Sequence, residues 1–288
     1  MAKIEFQMIT RRRIPVDLIE TFDLQTNRDY SMKILTRVDQ PWRVEDLNID
    51  FPLEVIPQRL FYSTGTRYGL CLARNELLSY AEADYILVLD DFIIISPWTV
   101  EIVMSHLQPD FVVRGFKVRA AKKWLGRQQY DAFFSQSNLM RLGHNLWDTT
   151  PRRRKRKPAK IMPEHFTTAY DLIPMGLLKK VNGWDMKYDG GWGLDDYDLG
   201  NRLKYAGAWF SRIGKIICFL LNHDSHTVER DDKSLGIKGC HIYNKKTGKK
   251  MNFQYLDHDT RQKYYQSQLK NQATRAPIGL KEVSDLLK

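Results

Sequence analysis

Asn182-Gly-Trp-Asp-Met-Lys-Tyr-Asp-Gly-Gly-Trp-Gly-Leu-Asp-Asp-Tyr-Asp-Leu-Gly-Asn-Arg-Leu203 is the stretch from which the chain is best read. Leu199, Leu203 and Ala206 recur at the i, i+4, i+7 spacing of a buried helical stripe, which predicts a helix beginning after Leu194. Its first turn then carries Asp195, Asp196 and Asp198. Carboxylates are favoured there by the helix dipole and as N-caps, and Asp198 has the i,i+4 spacing of an ion pair with Arg202. Gly190-Gly191-Trp192-Gly193 adds something that capping does not require. Glycines let the backbone approach a ligand, and an indole offers an apolar face to a ring.

Trp192-Gly193-Leu194-Asp195-Asp196-Tyr197-Asp198 resembles the Trp-Gly-x-Glu-Asp-x-Asp motif of GT-A glycosyltransferases, both inverting family two and the animal β-galactosyltransferases. The resemblance implies an α/β, Rossmann-like GT-A fold acting on a nucleotide-sugar donor. It puts Asp196 in the place of the general base for an acceptor hydroxyl. Asp195 replaces the usual Glu and, with Trp192 and Gly191, takes the acceptor-binding positions. A fixed carboxylate suits that task, because an alcohol of very high pKa must lose its proton as it attacks C1. Inversion would follow from one in-line displacement.

The N-terminal half reads in the same order. Ile4 to Thr10 is expected as a strand, Val16 to Gln25 as a helix and Met32 to Val38 as a strand ending at Asp39. Leu70, Ala73 and Leu77 form a helical stripe, and Tyr85 to Leu89 is an apolar run too short for a helix and suited to a buried parallel strand. Ser96-Pro97 is expected to cap a helix whose Val100, Val103, Met104 and Leu107 face the core. Strands alternating with helices argue for a mostly parallel sheet flanked by helices, with ligands beyond the carboxyl ends of the strands. By resemblance, Thr10, Arg12, Asp39, Arg74, Asp90 and Asp91 contact the nucleotide sugar. Leu89-Asp90-Asp91-Phe92 stands where the family has Leu-Asp-x-Asp, whose carboxylates hold a divalent cation, Mn or Mg. Phenylalanine replaces the last acid. Asp91 is then the implied metal ligand, with His226 or His223 of Asn222-His-Asp-Ser-His226 as a further one.

With 288 residues and 43% hydrophobic content, the chain can bury the core of one catalytic domain. Residues 1–228 are expected to form the GT-A domain, with a nucleotide-sugar half (1–110) and an acceptor half (111–228) containing a basic loop (151–160). Residues 229–288 form a C-terminal appendage that covers the sheet or contacts acceptor, with a hairpin around Asn244 to Gly248 and a helix over Asp259 to Gln272. Cys71, Cys218 and Cys240 fall in no motif and read as reduced structural thiols. No apolar run reaches membrane-span length and no signal-peptide core is seen at Met1 to Phe6, so the expected location is the cytoplasm, or the host cytoplasm of a viral chain.

The formal charge is +11, and Arg152, Arg153, Arg154, Lys155, Arg156 and Lys157 concentrate part of it. Such a run can be a solvated loop, a grip on a polyanion, or a hold on an anionic membrane surface. The polyanion reading points to DNA with hydroxymethylated bases as acceptor. The membrane reading points to a lipid-linked or envelope polysaccharide acceptor. A non-catalytic sugar or nucleic-acid binding module is the reading of another class, and the paired Asp195 and Asp196 weigh against it, since a binder has no need of a base.

Overall fold

The computed structural model describes residues 3–11, 14–37, 47–63, 69–119, 126–135, 138, 159–160, 166, 169–191, 193–221 and 240–288. Within them the chain runs β1 (Ile4–Thr10), α1 (Val16–Glu20), β2 (Tyr30–Thr36), β3 (Leu53–Pro57), β4 (Leu60–Tyr62), α2 (Leu70–Ser79), β5 (Tyr85–Leu89), β6 (Ile93–Ile95), α3 (Thr99–Met104), β7 (Phe111–Arg119) and α4 (Arg127–Phe133). Then come β8 (Ala159–Lys160), β9 (Tyr170–Pro174), α5 (Met175–Lys180), α6 (Asp195–Tyr205), β10 (Trp209–Leu220), β11 (His241–Asn244), β12 (Lys250–Asn252), α7 (His258–Lys270) and α8 (Leu280–Leu287). The large sheet has the order β3-β2-β1-β5-β9-β7-β10-β6, with β8 on β10. Strands β3, β2, β1 and β5 are mutually parallel, whereas β9 enters antiparallel between β5 and β7.

Strand β5 shows why the sequence folds this way. Leu87 and Leu89 belong to the core on one face of the sheet, with Phe6, Met8 and Leu172. Ile86 and Val88 belong to the core on the other, with Leu72, Ile173 and Leu199. A strand buried on both faces reads as an unbroken apolar run, as expected of a parallel sheet with helices on each side.

The elements fall close to the sequence reading, with local differences. The helix expected over Val16 to Gln25 is α1 followed by a 3₁₀ turn at Thr21–Leu24. Strand β2 covers Tyr30–Thr36, two residues earlier than expected. Ser96 is not the N-cap of α3; Trp98 is, and Ser96 accepts the Thr99 amide and hydroxyl through its carbonyl instead. The hairpin and the polar helix expected after Gly239 are β11–β12 and α7.

Residues 240–288 are bonded to the rest of the chain at several points. Strand β11 pairs with β4 and α8 packs along α2. The Ala276 amide donates to the Val181 carbonyl, the Leu280 amide to the Asn182 carbonyl and the Met186 amide to the Ile278 carbonyl. Gly279 lies so close to the Asn182 carbonyl that a Cβ would stand 1.9 Å from its oxygen, so a side chain there would separate the two segments.

Helix α6 is fixed to the same segment by an internal ion pair. Arg202 Nε lies 2.7 Å from Asp198 Oδ2, both side chains 2% exposed. Arg202 Nη1 also donates to the Val181 and Gly183 carbonyls, and the Tyr188 hydroxyl donates to Asp198 Oδ1. Breaking a buried pair leaves an uncompensated charge, so Asp198→Ala should destabilise the chain by about 3–5 kcal/mol. Tyr188→Phe, which removes one donor only, should cost about 1 kcal/mol in the same denaturant titration. Equal losses would mean that the pair is not the anchor of α6.

Candidate active site

The carboxyl ends of β1 and β5 open side by side. Thr10 ends β1, and its hydroxyl donates to Asp91 Oδ2 at 3.1 Å. Asp90 and Asp91 follow β5 directly, and Asp90 keeps 46% of its side-chain surface open. Phe92 has φ 58°, a left-handed conformation uncommon for a bulky residue, and its ring packs against the core. The position of the last acid in the Leu-Asp-x-Asp pattern that this stretch resembles is thus spent on packing.

Opposite this edge stands α6, entered through two left-handed residues, Gly193 (φ 88°) and Leu194 (φ 71°). Leu194 is the N-cap and makes no side-chain capping bond. Asp195 and Asp196 are therefore not used as caps. They face Arg74 on α2: Nη1 lies 2.9 Å from Asp196 Oδ1 and 3.5 Å from Asp195 Oδ2, while Nη2 is 4.0 Å from Asp90 Oδ1. One guanidinium, 8% exposed, links both carboxyl sources. It also lies over the buried Trp184 ring, 5.4 Å from its centroid. The next residue, Asn75, clasps the Trp184 backbone, donating to its carbonyl and accepting from its amide.

Helix α2 reaches this position because Asp189 holds its N-terminus. The local N-cap, Gly69, has no side chain to offer, and Asp189 Oδ1 and Oδ2 accept the amides of Cys71 and Leu72 at 2.8 and 2.9 Å. Those are the orphan donors an N-cap satisfies, here supplied from 117 and 118 residues away. The Tyr62 hydroxyl adds a third bond at 2.6 Å. Burial nevertheless pushes Asp189 up to about 6.

Below the site, Asp171 on β9 faces Arg114 on β7, with Arg114 Nε and Lys117 Nζ each 3.8 Å from a carboxylate oxygen. Asp171 is fully buried and pushed up to about 6 by desolvation, against the pull of Lys117 and Arg114. Asp195 is also raised, first by burial and then by repulsion from Asp196, with Arg74 opposing. Oδ2 of Asp195 and both oxygens of Asp171 are buried without a hydrogen-bond donor among the described residues. Among the described residues of this region, Asp90, Asp91, Asp171, Asp195 and Asp196 outnumber Arg74, Arg114 and Lys117.

Of the residues singled out from sequence, Thr10, Arg74, Asp90, Asp91, Asp195 and Asp196 converge here, and Gly191 lies on the loop leading into α6. Arg12, Asp39, Trp192, His223, His226 and Arg152 to Lys157 lie outside the described residues. Asp189, Asn75, Asp171 and Lys117 were not anticipated. Asp189 stood inside the decisive stretch beside Gly190-Gly191, but nothing local names its partners. Asp171 was signalled by a lone acid in the otherwise apolar Tyr170-Asp-Leu-Ile-Pro174.

A family model described as the N-terminal domain of galactosyltransferase matches residues 172–226, the span that contains α6. No curated protein shows significant similarity to the chain. Among solved structures, S. aureus TarS 1-349 in complex with UDP-GlcNAc is similar at 12% identity and TM-score 0.56, over 80% of this chain and 62% of that one. Mannosyltransferase PcManGT from Pyrobaculum calidifontis in complex with GDP-Man and Mn2+ is similar at 14% identity and TM-score 0.51, over 78% and 58%. GalNAc-T7 with UDP, GalNAc and Mn2+ is similar at 11% identity and TM-score 0.52, over 77% and 44%. The chain spans 62% or less of the length of these structures. The likeness shows the fold: a GT-A architecture, with a largely parallel sheet, flanking helices and a smaller second sheet.

The electrostatics predict a pH response. Arg74→Met removes the charge that holds Asp195 down, so Asp195 should titrate higher still. An acid raised in the folded state binds more protons there than in the unfolded chain, so its contribution to stability is lost as pH rises from the ordinary carboxylate value through the raised one. The unfolding temperature of Arg74→Met should therefore fall more steeply than the parent's as pH rises from about 4 through the raised value of Asp195, about 7, and beyond it. Adding Asp195→Asn should restore a shallower slope. Parallel slopes for parent and Arg74→Met would show that the guanidinium does not set the charge of the pair.

Proposed function

We propose that the chain transfers a sugar from a nucleotide-sugar donor to an acceptor hydroxyl, with Asp196 as general base. The observation that carries this reading is the meeting of Asp90, Arg74, Asp195 and Asp196 across the carboxyl edge of the parallel strands. The donor diphosphate lies along the β1 and β5 ends at Thr10, Asp90 and Asp91, with Arg12 and Asp39 as further donor contacts. The acceptor lies against Gly191, Trp192 and Asp195. As the acceptor oxygen bonds to C1, its proton passes to Asp196 and the C1–O bond to phosphate breaks, the electron pair leaving on the nucleoside diphosphate. A single displacement inverts C1.

An excess of carboxylates is a poor surface for a diphosphate unless a cation accompanies it. The residues fit a hard divalent ion, Mn or Mg, held by Asp91 or Asp90 together with phosphate oxygens, since such ions commonly take one or two protein carboxylates. Its chemistry would be charge neutralisation of the diphosphate. Among the described residues no group of three His, Cys, Asp or Glu forms a closed cage, and His226 is the further ligand in this reading. UDP-GlcNAc and GDP-Man, bound in two structures of the same fold, are the donors to try first.

For the acceptor, the net charge of +11 and the run Arg152 to Lys157 favour a polyanion, and DNA with a hydroxymethylated base supplies both the phosphates and the hydroxyl. A lipid-linked or envelope acceptor at an anionic membrane surface is the competing reading. Among the described residues no helix is long and apolar enough to cross a membrane.

Mass spectrometry of hydroxymethylated DNA and of envelope lipid, each incubated with the two donors and Mn²⁺, separates these readings by which substrate gains an N-acetylhexosamine or hexose mass. Asp196→Asn should lower transfer by about a hundredfold or more with donor binding retained. Inertness toward both donors and both acceptors, with Asp196→Asn matching the parent in sugar and DNA binding, would leave a binding module. For the DNA reading, affinity should fall linearly in log–log form with salt; no binding at low ionic strength would remove DNA as acceptor.

A further inference from the structure

Three of the glycines around α6 are required for different reasons. Gly190 (φ 94°) and Gly193 (φ 88°) occupy left-handed backbone that a side chain would strain. Gly191 does not; it is a glycine because of what lies on it. A Cβ at that position would stand 1.8 Å from Arg261 Nη1, 1.9 Å from Nη2 and 2.1 Å from Cζ. The guanidinium of Arg261 fills the volume a side chain would take.

Arg261 sits in the first turn of α7, which begins at Asp257, whose carboxylate accepts the Thr260 amide as N-cap. Its residue is 4% exposed, so the guanidinium is held between helix and loop and cannot swing out freely. The rest of α7 is fastened on both sides of that loop. The Tyr264 hydroxyl donates to Asp185 Oδ2 at 2.6 Å, ahead of it, and Asn201 Nδ2 on α6 donates to the Tyr265 hydroxyl at 3.1 Å, behind it. One helix is thus fastened on both sides of Gly190 and Gly191, and Arg261 is the side chain that presses on Gly191.

We propose that Arg261 is a positioning residue for acceptor binding: it fixes the glycine loop and, through Gly193 and Leu194, the placement of Asp195 and Asp196. Helix α7 is then part of the acceptor site. The inference rests on the acceptor reading of that loop. A displacement of about 1 Å in a catalytic group can cost about a hundredfold, so loss of Arg261 should be felt at the acids without any contact to substrate.

The test uses the full chain and the acceptor labelled in the mass-spectrometric comparison. Arg261→Ala should raise the acceptor KM or lower transfer by about ten- to a hundredfold, with affinity for the donor UDP-GlcNAc close to parent. Arg261→Lys, which keeps the charge but not the planar head, should recover part of the loss. Hydrogen exchange at residues 190–194 should accelerate in Arg261→Ala, a readout independent of any acceptor. Tyr264→Phe removes a docking bond of the same helix and serves as the control, with transfer and loop exchange expected to match the parent. Unchanged loop exchange and unchanged acceptor KM in Arg261→Ala would overturn the inference. Equal losses in Arg261→Ala and Tyr264→Phe would also overturn it, reducing Arg261 to a docking contact. A parent that hydrolyses neither donor and labels no acceptor defeats the transferase reading itself, and this inference with it. Donor hydrolysis with a normal Arg261→Ala defeats the inference alone.

Discussion

Asp189 caps a helix that it does not precede. Its two oxygens close the open end of α2 from a segment more than a hundred residues later, and the placement of Arg74 and Asn75 depends on that register. Arg74 and Asn75 lie one turn into α2; were its N-terminus free to shift, the guanidinium would lose both acids and the amide would lose the Trp184 backbone. The carboxylate is desolvated, which disfavours its charge, yet the two amides and the Tyr62 hydroxyl would themselves be left unsatisfied without it. Withdrawing one partner of such a set exposes the others to the full desolvation penalty, about 1–3 kcal/mol per group. The constraint is strong because each member is costly alone.

The acidic cluster divides into two kinds of carboxylate. Asp198 turns inward, is matched by Arg202 and Tyr188, and contributes to stability. Asp195 and Asp196 face Arg74 instead, share its guanidinium, and leave an oxygen of Asp195 without a hydrogen-bond donor among the described residues. Left-handed backbone at Leu194 costs of order 1–3 kcal/mol and is retained where it aims these two side chains. Backbone strain and a buried carboxylate oxygen thus collect at one helix start.

Much of this was legible from local pattern. Strands Ile4–Thr10 and Tyr85–Leu89 match the apolar runs residue for residue, and α6 begins where the stripe of Leu199, Leu203 and Ala206 placed it. The i,i+4 pair of Asp198 and Arg202 was written in the spacing, although its burial was not. What escaped was contact at long separation. Asp189 on α2, Asn75 on Trp184 and Arg261 on Gly191 join residues whose types are compatible with many partners, and only the folded chain selects one. Gly191 shows the difficulty well: the sequence marks a residue without a side chain but not the neighbour that forbids one.

The stitching of residues 276–282 onto residues 181–186 bears on the order of assembly during synthesis. Helix α2 and the acid helix are both translated well before α7 and α8, yet both are packed by them. At roughly 5–20 residues per second, a ribosome holds the half-made site open for several seconds before its last supports emerge. Until then α2 lacks the packing of α8, and the acid-bearing α6 lacks that of α7. Maturation of the site is therefore a late event, timed by the arrival of the segment that the motif-bearing residues themselves cannot replace.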